Sequence, residues 1–182
     1  MAIFLITAPS GAGKTSIAQM IQRQGGWEEC ISHTTRDMRE GEENGKTYYF
    51  ISKEQFLHFD KLGAFAEKVE YDKNYYGISK DEIERVMEKS KHVYVIVEYE
   101  GYKQMKDIYP DAVGIFLYMS KEDCMANMLL RGDSLANAED RISRYDEEIK
   151  NRVHFDYVIK NVRGKMVSTT HIINGIINQY NM

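Results

Sequence analysis

Cysteine, proline and long apolar runs are scarce in this chain of 182 residues, and each scarcity excludes a class of protein. The only two cysteines, Cys30 and Cys124, allow no disulfide framework and no paired-cysteine metal site. No apolar run approaches the length of a membrane span, and no basic leader with a cleavage site precedes the first apolar segment. We therefore expect a cytoplasmic protein that has no membrane partner.

An excess of positive charge is also missing. Lys and Arg number 24 against 28 Asp and Glu, which gives a formal net charge of −4. Because no global basic field attracts nucleic acid, we expect no nucleic-acid partner. The five histidines show no metal-ligand spacing. Hydrophobic residues make up 43% of the chain, which is enough for one globular domain over residues 1–182 with a substantial core.

The most informative stretch is a glycine-rich loop near the N-terminus. It follows an apolar run that predicts a strand over 3–7, and it precedes a predicted helix over 14–24. A strand, a glycine-rich turn and a helix start are the context of a phosphate-binding loop, whose backbone N–H groups turn inward around phosphate oxygens. The residues assigned to nucleotide-phosphate binding in this loop are Ala8, Pro9, Ser10, Gly11, Ala12, Gly13, Lys14 and Thr15.

Two side chains of this loop carry chemistry. Lys14 can reach the outer phosphates of a nucleotide, and the Thr15 hydroxyl can bind the Mg²⁺ that bridges them. The pattern normally begins with glycine, where this chain has Ala8, and alanine fits there only if its backbone φ is negative. By itself the loop predicts that the chain binds a nucleotide phosphate and says nothing of the reaction.

Beyond the loop, predicted helices alternate with predicted strands. The helices are predicted over 53–62, 79–91, 101–108, 121–130, 136–151 and 168–180, and the strands over 92–98, 113–119 and 156–160. This alternation favours an α/β fold with a mostly parallel sheet. A polar and aromatic region over 30–78, with β-like pieces over 46–51 and 64–71, breaks the pattern. We predict that it is an inserted lobe that faces the same cleft as the loop.

The inserted region carries two groups of candidate binding residues. Arg36 and Arg39 lie three residues apart, and arginine binds phosphate well through bidentate hydrogen bonds, although two such arginines alone are more often surface charges. Glu67 offers two acceptors side by side, which match the adjacent ring N–H and amine of guanine. Adenine would turn an acceptor toward the same carboxylate. Without its context, Glu67 could also be a surface glutamate on a strand.

Read together, the motifs resemble those of a known family. The phosphate loop, Ser-His-Thr-Thr-Arg-x-x-Arg-x-Gly-Glu, Asn-Gly-Lys-x-Tyr-x-Phe, Phe-x-Glu and Asn-Tyr-Tyr-Gly occur in the order and at the spacings of the guanylate kinases. The resemblance implies a P-loop kinase fold with a three-layer core over about 1–30 and 79–182, a nucleoside-monophosphate-binding lobe over about 31–78 and a short lid over about 130–145. It implies transfer of the γ-phosphoryl group of ATP to GMP or dGMP with Mg²⁺.

The same resemblance assigns roles to single residues. The residues implied to bind the nucleoside monophosphate are Ser32, Arg36, Arg39, Tyr48, Glu67, Tyr76, Gly77 and Ile78. Arg131 and Arg141 match lid arginines, which would act with Lys14 on the charge of the transition state. Glu98 ends a predicted strand and matches an acid that holds Mg²⁺ with Thr15. Asn161 falls where the family places a residue near the adenine of ATP.

Several positions depart from the family pattern. Ile78 stands where a Ser or Thr normally donates to the guanine oxygen, and Ile96 stands where a strand acid normally helps to hold the guanine amine. An apolar pair beside one carboxylate could instead suit a pyrimidine. Asn127 replaces a further lid arginine, and Arg144 is interpreted as a surface residue on a solvated helix face.

Three other functions remain as alternatives. The chain could be a kinase of another nucleotide, such as a deoxypyrimidine monophosphate, or of a phosphorylated sugar. It could also be a non-catalytic binding module of guanylate-kinase-like fold. Glu67 argues against the sugar, which has no base edge to read, and Lys14 and Thr15 argue against the binding module. The sequence leaves the oligomeric state undecided.

Overall fold

The structure is a computed structural model, and it describes residues 2–24, 27–71 and 73–180. The strands are β1 (Ala2–Thr7), β2 (Glu28–Glu29), β3 (His33–Thr34), β4 (Tyr49–Phe50), β5 (Phe65–Tyr71), β6 (Asn74–Ser79), β7 (His92–Ile96), β8 (Val113–Tyr118) and β9 (Tyr157–Lys160). The helices are α1 (Lys14–Gln24), α2 (Lys53–Lys61), α3 (Lys80–Met87), α4 (Tyr99–Ile108), α5 (Lys121–Leu130), α6 (Leu135–Ser143), α7 (Tyr145–Glu148), a 3-10 helix (Ile149–His154) and α8 (Met166–Gln179).

Five parallel strands form the central sheet, in the spatial order β2-β7-β1-β8-β9. Alternate residues of β1 point to opposite faces, as strand geometry requires. Phe4 and Ile6 pack with α1, α5 and α8 on one face, and Ile3 and Leu5 pack with α3 and α4 on the other. The predicted α/β fold with helices on both faces of a parallel sheet is confirmed, and this packing places the strand ends at one edge.

A second sheet of four strands lies within the region that breaks the alternation. Its order is β4-β3-β6-β5, with β3 and β4 parallel and the other pairs antiparallel. Helix α2 covers it through Phe56, whose ring stacks on Phe65 at a centroid distance of 4.3 Å and on Tyr75 at 5.3 Å. Aromatic packing therefore holds together a unit whose strands are short.

One buried carboxylate ties this second sheet to the body of the protein. Glu82 of α3 is 4% exposed and accepts from the backbone N–H of Ile31 at 3.0 Å and from the Tyr49 hydroxyl at 3.1 Å. Arg85 supplies the countercharge through two hydrogen bonds of 2.8 and 2.9 Å. A buried carboxylate needs partners of this kind. Here they are Ile31, which precedes β3, Tyr49 of β4 and Arg85 of α3 itself.

The structure differs from the sequence-based predictions in three places. Residues 74–79 form the strand β6, which the sequence did not predict because the segment is short and contains Gly77. The single helix predicted over 136–151 is divided into α6, α7 and a 3-10 helix. The hydroxyl of Ser143 donates to the carbonyl of Asp140 at 2.6 Å, and such side-chain bonds compete with the helix ladder. The two-residue strands β2 and β3 were missed as well.

Over residues 2–24, 27–71 and 73–180, each helix is too short or too polar to span a bilayer.

Candidate active site

The phosphate loop joins the end of β1 to the start of α1, as predicted. Gly11 and Gly13 have φ angles of +82° and +86°, which residues with a Cβ rarely adopt. Among the described residues, Lys73 is the only non-glycine residue with a positive φ, so the backbone condition set for Ala8 is met. The loop therefore has the geometry in which glycine is needed at two of its positions and alanine fits at its first.

A lysine and a glutamate meet at the mouth of the loop. Lys14 begins α1, and its amine donates to Oε1 of Glu98 at 2.8 Å. Glu98 follows β7, which lies next to β1 in the sheet, so the two strand ends bring the charges together. The Thr7 hydroxyl donates to the carbonyl of Val97 at 2.9 Å and fixes the two ends to each other. Thr15 is exposed on the wall of the same cleft.

The cleft above the loop has a volume of about 700 Å³, and two arginines line it. Arg131 is the C-cap residue of α5, and Arg141 lies in the last turn of α6. Asp133, in the turn between the helices, accepts from Nε and Nη2 of Arg131 at 3.1 and 2.5 Å and lies 3.9 Å from Nη1 of Arg141. The hydrogen bonds from Arg131 hold the pKa of Asp133 below its usual value. Both predicted lid arginines thus line the cleft beside a shared countercharge.

A second cleft of about 390 Å³ lies beside the first and contains the predicted phosphate clamp. Arg36, Arg39, Tyr48 and Tyr76 all line it. Nη2 of Arg36 donates to Glu42 at 2.7 Å, and this pair raises the pKa of Arg36 and lowers that of Glu42. The Arg36 guanidinium also lies over the Tyr48 ring at 5.6 Å, which limits its motion. The structure brings these four predicted residues together around one cleft.

The two clefts meet. Four residues line both of them, and they come from the phosphate loop, the second sheet, the end of β7 and α6: Ser10, Tyr48, Glu98 and Arg141. A group bound in one cleft would therefore lie next to a group bound in the other. Transfer between two bound phosphates requires this kind of junction.

Glu67 is placed differently from the phosphate residues. It lies on β5 and is 6% exposed, and burial raises the pKa of its carboxyl to about 7. The backbone N–H of Ile78 donates to it, which partly offsets this rise, while the charge of Glu98 adds to it. Gly101 leaves room for the carboxylate, because a Cβ at that position would lie 2.7 Å from Oε2 of Glu67. The first turn of α4 therefore packs against this acid.

Of three other residues predicted around the base, Gly77 and Ile78 are packed into the protein, and Ile96 is partly exposed. Gly77 is buried in β6, where a Cβ would come within 2.8 Å of the Glu67 carbonyl. Ile78 is fully buried in the apolar cluster that contains Leu5, whereas Ile96 packs against the opposite cluster and lines the larger cleft. The apolar pair expected from Ile78 and Ile96 is therefore not formed, because the two side chains lie on opposite faces of the sheet.

Two predicted residues take supporting positions. Ser32 precedes β3, and its backbone carbonyl accepts from the N–H of Tyr49 at 2.9 Å. Asn161 is 2% exposed at the floor of the larger cleft, where its amide contacts the phosphate loop and α8. A direct contact of either residue with a nucleotide remains a prediction.

Sequence reasoning missed Glu148. The helix face that carries it was interpreted as solvated, but Glu148 lines the smaller cleft and accepts from the backbone N–H of Ser10. Its Oε2 is buried and has no hydrogen-bond partner among the described residues. Burial, followed by the charge of Glu98, raises the pKa of this carboxyl. Arg144, interpreted as a surface residue, pairs with Asp140 at 2.7 Å and also lines this cleft. The sequence of this helix by itself does not indicate either contact.

The fold and the site together define a class of enzyme. A parallel sheet, a glycine-rich loop that ends in Lys-Thr, an acid at the end of the neighbouring strand and two arginines across the cleft are the parts of a P-loop phosphotransferase. The adjoining arginine-lined cleft indicates that the acceptor also carries a phosphate.

Comparison with known proteins narrows the class to one family. The family model described as guanylate kinase matches residues 1–179. A guanylate kinase of Neisseria meningitidis serogroup A is 38% identical over 162 residues, which cover 87% of this chain and 79% of that protein. One of Legionella pneumophila strain Lens is 34% identical over 162 residues, 87% of this chain and 78% of that protein. The chain belongs to the guanylate kinase family and is an ATP-dependent nucleoside monophosphate kinase.

Solved structures agree with this assignment. The crystal structure of guanylate kinase from Anaplasma phagocytophilum superposes with a TM-score of 0.77 at 25% identity, over 100% of this chain and 86% of that one. Shikimate kinase from Bacteroides thetaiotaomicron, at 13% identity and a TM-score of 0.54, shares the fold alone.

Proposed function

We propose that this protein transfers the γ-phosphoryl group of ATP to GMP or dGMP and releases ADP with GDP or dGDP. The observation that carries this proposal is the junction of two clefts, one built on the phosphate loop and one on an arginine clamp. ATP would occupy the larger cleft and the monophosphate the smaller one. The names of the relatives support guanine as the base of the acceptor.

Cations line the cleft that we propose for each phosphate. Lys14 and the loop N–H groups would bind the outer phosphates of ATP, and Arg36 and Arg39 the phosphate of the acceptor. Arg131 and Arg141 would stabilise the charge that spreads over the transferred group, in a cleft from which closure excludes water. We propose that residues 31–78 form the acceptor lobe and residues 130–145 the lid that makes this closure.

The donor set fits Mg²⁺. The Thr15 hydroxyl and the Glu98 carboxylate both line the larger cleft, and Mg²⁺ takes hard oxygen ligands of this type beside phosphate oxygens. When bound, Mg²⁺ supplies charge neutralisation between the β- and γ-phosphates. The Glu98 carboxylate would then exchange its ion pair with Lys14 for the metal, which frees the Lys14 amine for a phosphate oxygen.

Glu67 carries the choice of base in this proposal. Its carboxylate would accept from the ring N–H and the amine of guanine, a pairing that adenine cannot make. Ile78 and Ile96 offer neither donor nor acceptor. Discrimination against other bases therefore depends on Glu67 more heavily than on any apolar contact.

The test is ADP release from ATP and Mg²⁺ with GMP, dGMP, AMP, dTMP, dUMP and dCMP as acceptors. The proposal predicts that GMP or dGMP gives the highest kcat/KM. A pyrimidine nucleotide in first place would show that the base pocket has changed while the chemistry has not. A protein that fails to bind ATP would contradict the enzyme assignment and favour a binding module.

A further inference from the structure

The backbone carbonyl groups of a phosphate-binding loop need hydrogen-bond donors from elsewhere in the protein. When its N–H groups turn toward a phosphate, its carbonyl groups must turn into the protein, where they need donors. In this chain, the side-chain amides of two asparagines from distant segments supply them. Nδ2 of Asn127 donates to the carbonyl of Gly11 at 2.9 Å, and Nδ2 of Asn161 donates to the carbonyl of Ala12 at 3.0 Å.

The amide of Asn161 is held in a defined orientation. Its Oδ1 accepts from the hydroxyl of Thr169 at 2.9 Å, and its backbone N–H donates to the carbonyl of Tyr118 at 2.7 Å. The residue is 2% exposed, so water cannot replace these bonds readily. A Cβ at Gly13 would lie 2.7 Å from Nδ2, which shows how closely this amide packs under the loop.

Asn127 is held from the side of α5. Its Nδ2 lies 3.3 Å from the sulfur of Met119, and one turn earlier the carbonyl of Cys124 would lie 2.3 Å from a Cβ at Gly11. The loop is therefore fixed against α5 at Gly11 and against the end of β9 at Ala12. These contacts leave little freedom in the direction of the N–H groups between them.

We propose that Asn127 and Asn161 are positioning residues that orient the phosphate loop for ATP by satisfying the carbonyls of Gly11 and Ala12. They act through the loop backbone and need no contact with the nucleotide. The activity readout of this inference rests on the proposed function. The measurements of ATP binding and of backbone amide resonances do not rest on the proposed function.

The sharpest variants are N127D and N161D. Each keeps the shape of the side chain but replaces the donor Nδ2 with an oxygen and adds a negative charge at the larger cleft. N127L and N161L remove the donor without adding charge, so they should weaken ATP binding as well. We expect the Kd for ATP, measured by calorimetry, to rise about tenfold or more, because a buried carbonyl loses its donor. The KM for GMP should change by less than about twofold, because the arginine clamp is not touched.

The matched control is N174D. Asn174 on α8 also makes an amide hydrogen bond, to Oε1 of Gln24 at 2.5 Å, but that bond is away from the loop. We expect N174D to bind ATP like the wild type. In nucleotide-free protein, the backbone amide resonances of Gly11, Ala12 and Gly13 should move in N127D and stay in place in N174D.

Failure of this inference differs from failure of the proposed function. A wild-type protein that phosphorylates no nucleoside monophosphate would refute the function, while ATP binding and amide resonances would still report on the asparagines. If N161D does not fold, N127D remains decisive, because Asn127 is only half-buried. ATP affinity and loop resonances that match the wild type in N127D would overturn the inference.

Discussion

The cations that we propose for phosphate binding (the phosphate side) and Glu67, the carboxylate that we propose for base recognition (the base side), lie in opposite electrostatic surroundings. Lys14 pairs with Glu98, Arg36 with Glu42 and Arg131 with Asp133, at clefts that are open to water. Glu67 is buried instead, and this burial raises the pKa of its carboxyl to about 7. The residues of the phosphate side are thus already charged without substrate. On the base side, the charge of Glu67 depends on whether its buried carboxyl is ionised.

The comparison predicts that the largest loss of activity follows from a change on the phosphate side. Lys14→Ala should lower kcat by about 10³-fold, because the amine acts on charge that develops in the transition state. The melting temperature should stay close to that of the wild type, since the Lys14–Glu98 pair is exposed at its acid. Lys150→Ala, which removes an exposed lysine paired with Glu147, is the control. Near-full activity of the Lys14 variant would refute the site.

The base side should show a smaller and more selective loss. Glu67→Gln replaces one acceptor with a donor that faces the guanine amine, so kcat/KM for GMP should fall about 10²-fold. The KM for ATP should change less than about twofold. The matched control is Glu70→Gln, on the exposed face of the same strand. Equal losses for every acceptor would mean that Glu67 only supports the fold.

The fold and the phosphate side could be predicted from sequence because their signals are local. A strand, a glycine-rich turn and Lys14 are contiguous, and Arg36 and Arg39 are only three residues apart. The base side could not, because burial is a property of packing. Nothing near Ile78 in the sequence shows that β6 buries it on one face of the sheet while Ile96 packs on the other. Glu148 was missed for the same reason.

The KM for GMP, measured over a range of pH, should distinguish Glu67 from the residues of the phosphate side. With a pKa of about 7, most Glu67 is protonated at pH 6 and ionised at pH 8, so the KM for GMP should fall about tenfold between them. Glu67→Gln should lose that part of the dependence, which separates it from ionisation of GMP itself. A pH dependence that is the same in both proteins would contradict the assignment.

The same pKa gives a prediction about folding. The folded state raises the pKa of Glu67 from 4.5 to about 7, so it favours the protonated form. This contribution to stability is complete below about pH 4.5 and is lost as the pH rises through about 7. Denaturant unfolding at pH 6 and pH 8 should therefore show a smaller fall in stability for Glu67→Gln than for the wild type. An equal fall would place the titrating group elsewhere.

The smallest effect is expected at the lid. Asp133→Asn removes the countercharge that holds Arg131 and faces Arg141, and kcat should fall about two- to fivefold, as expected for a partly exposed pair. Asp146→Asn, whose partner Lys121 is outside the site, is the control. A rise in kcat would show that Asp133 competes with the phosphates instead of positioning the arginines.

The most direct test of the account uses one molecule that spans both clefts. Adenosine and guanosine joined through a chain of phosphates should inhibit competitively against ATP and against GMP. It should bind about 10²-fold or more tightly than either substrate alone, because both sites are filled at one entropic cost. Inhibition that competes with only one substrate would contradict the claim that the two clefts meet at a single point of phosphoryl transfer.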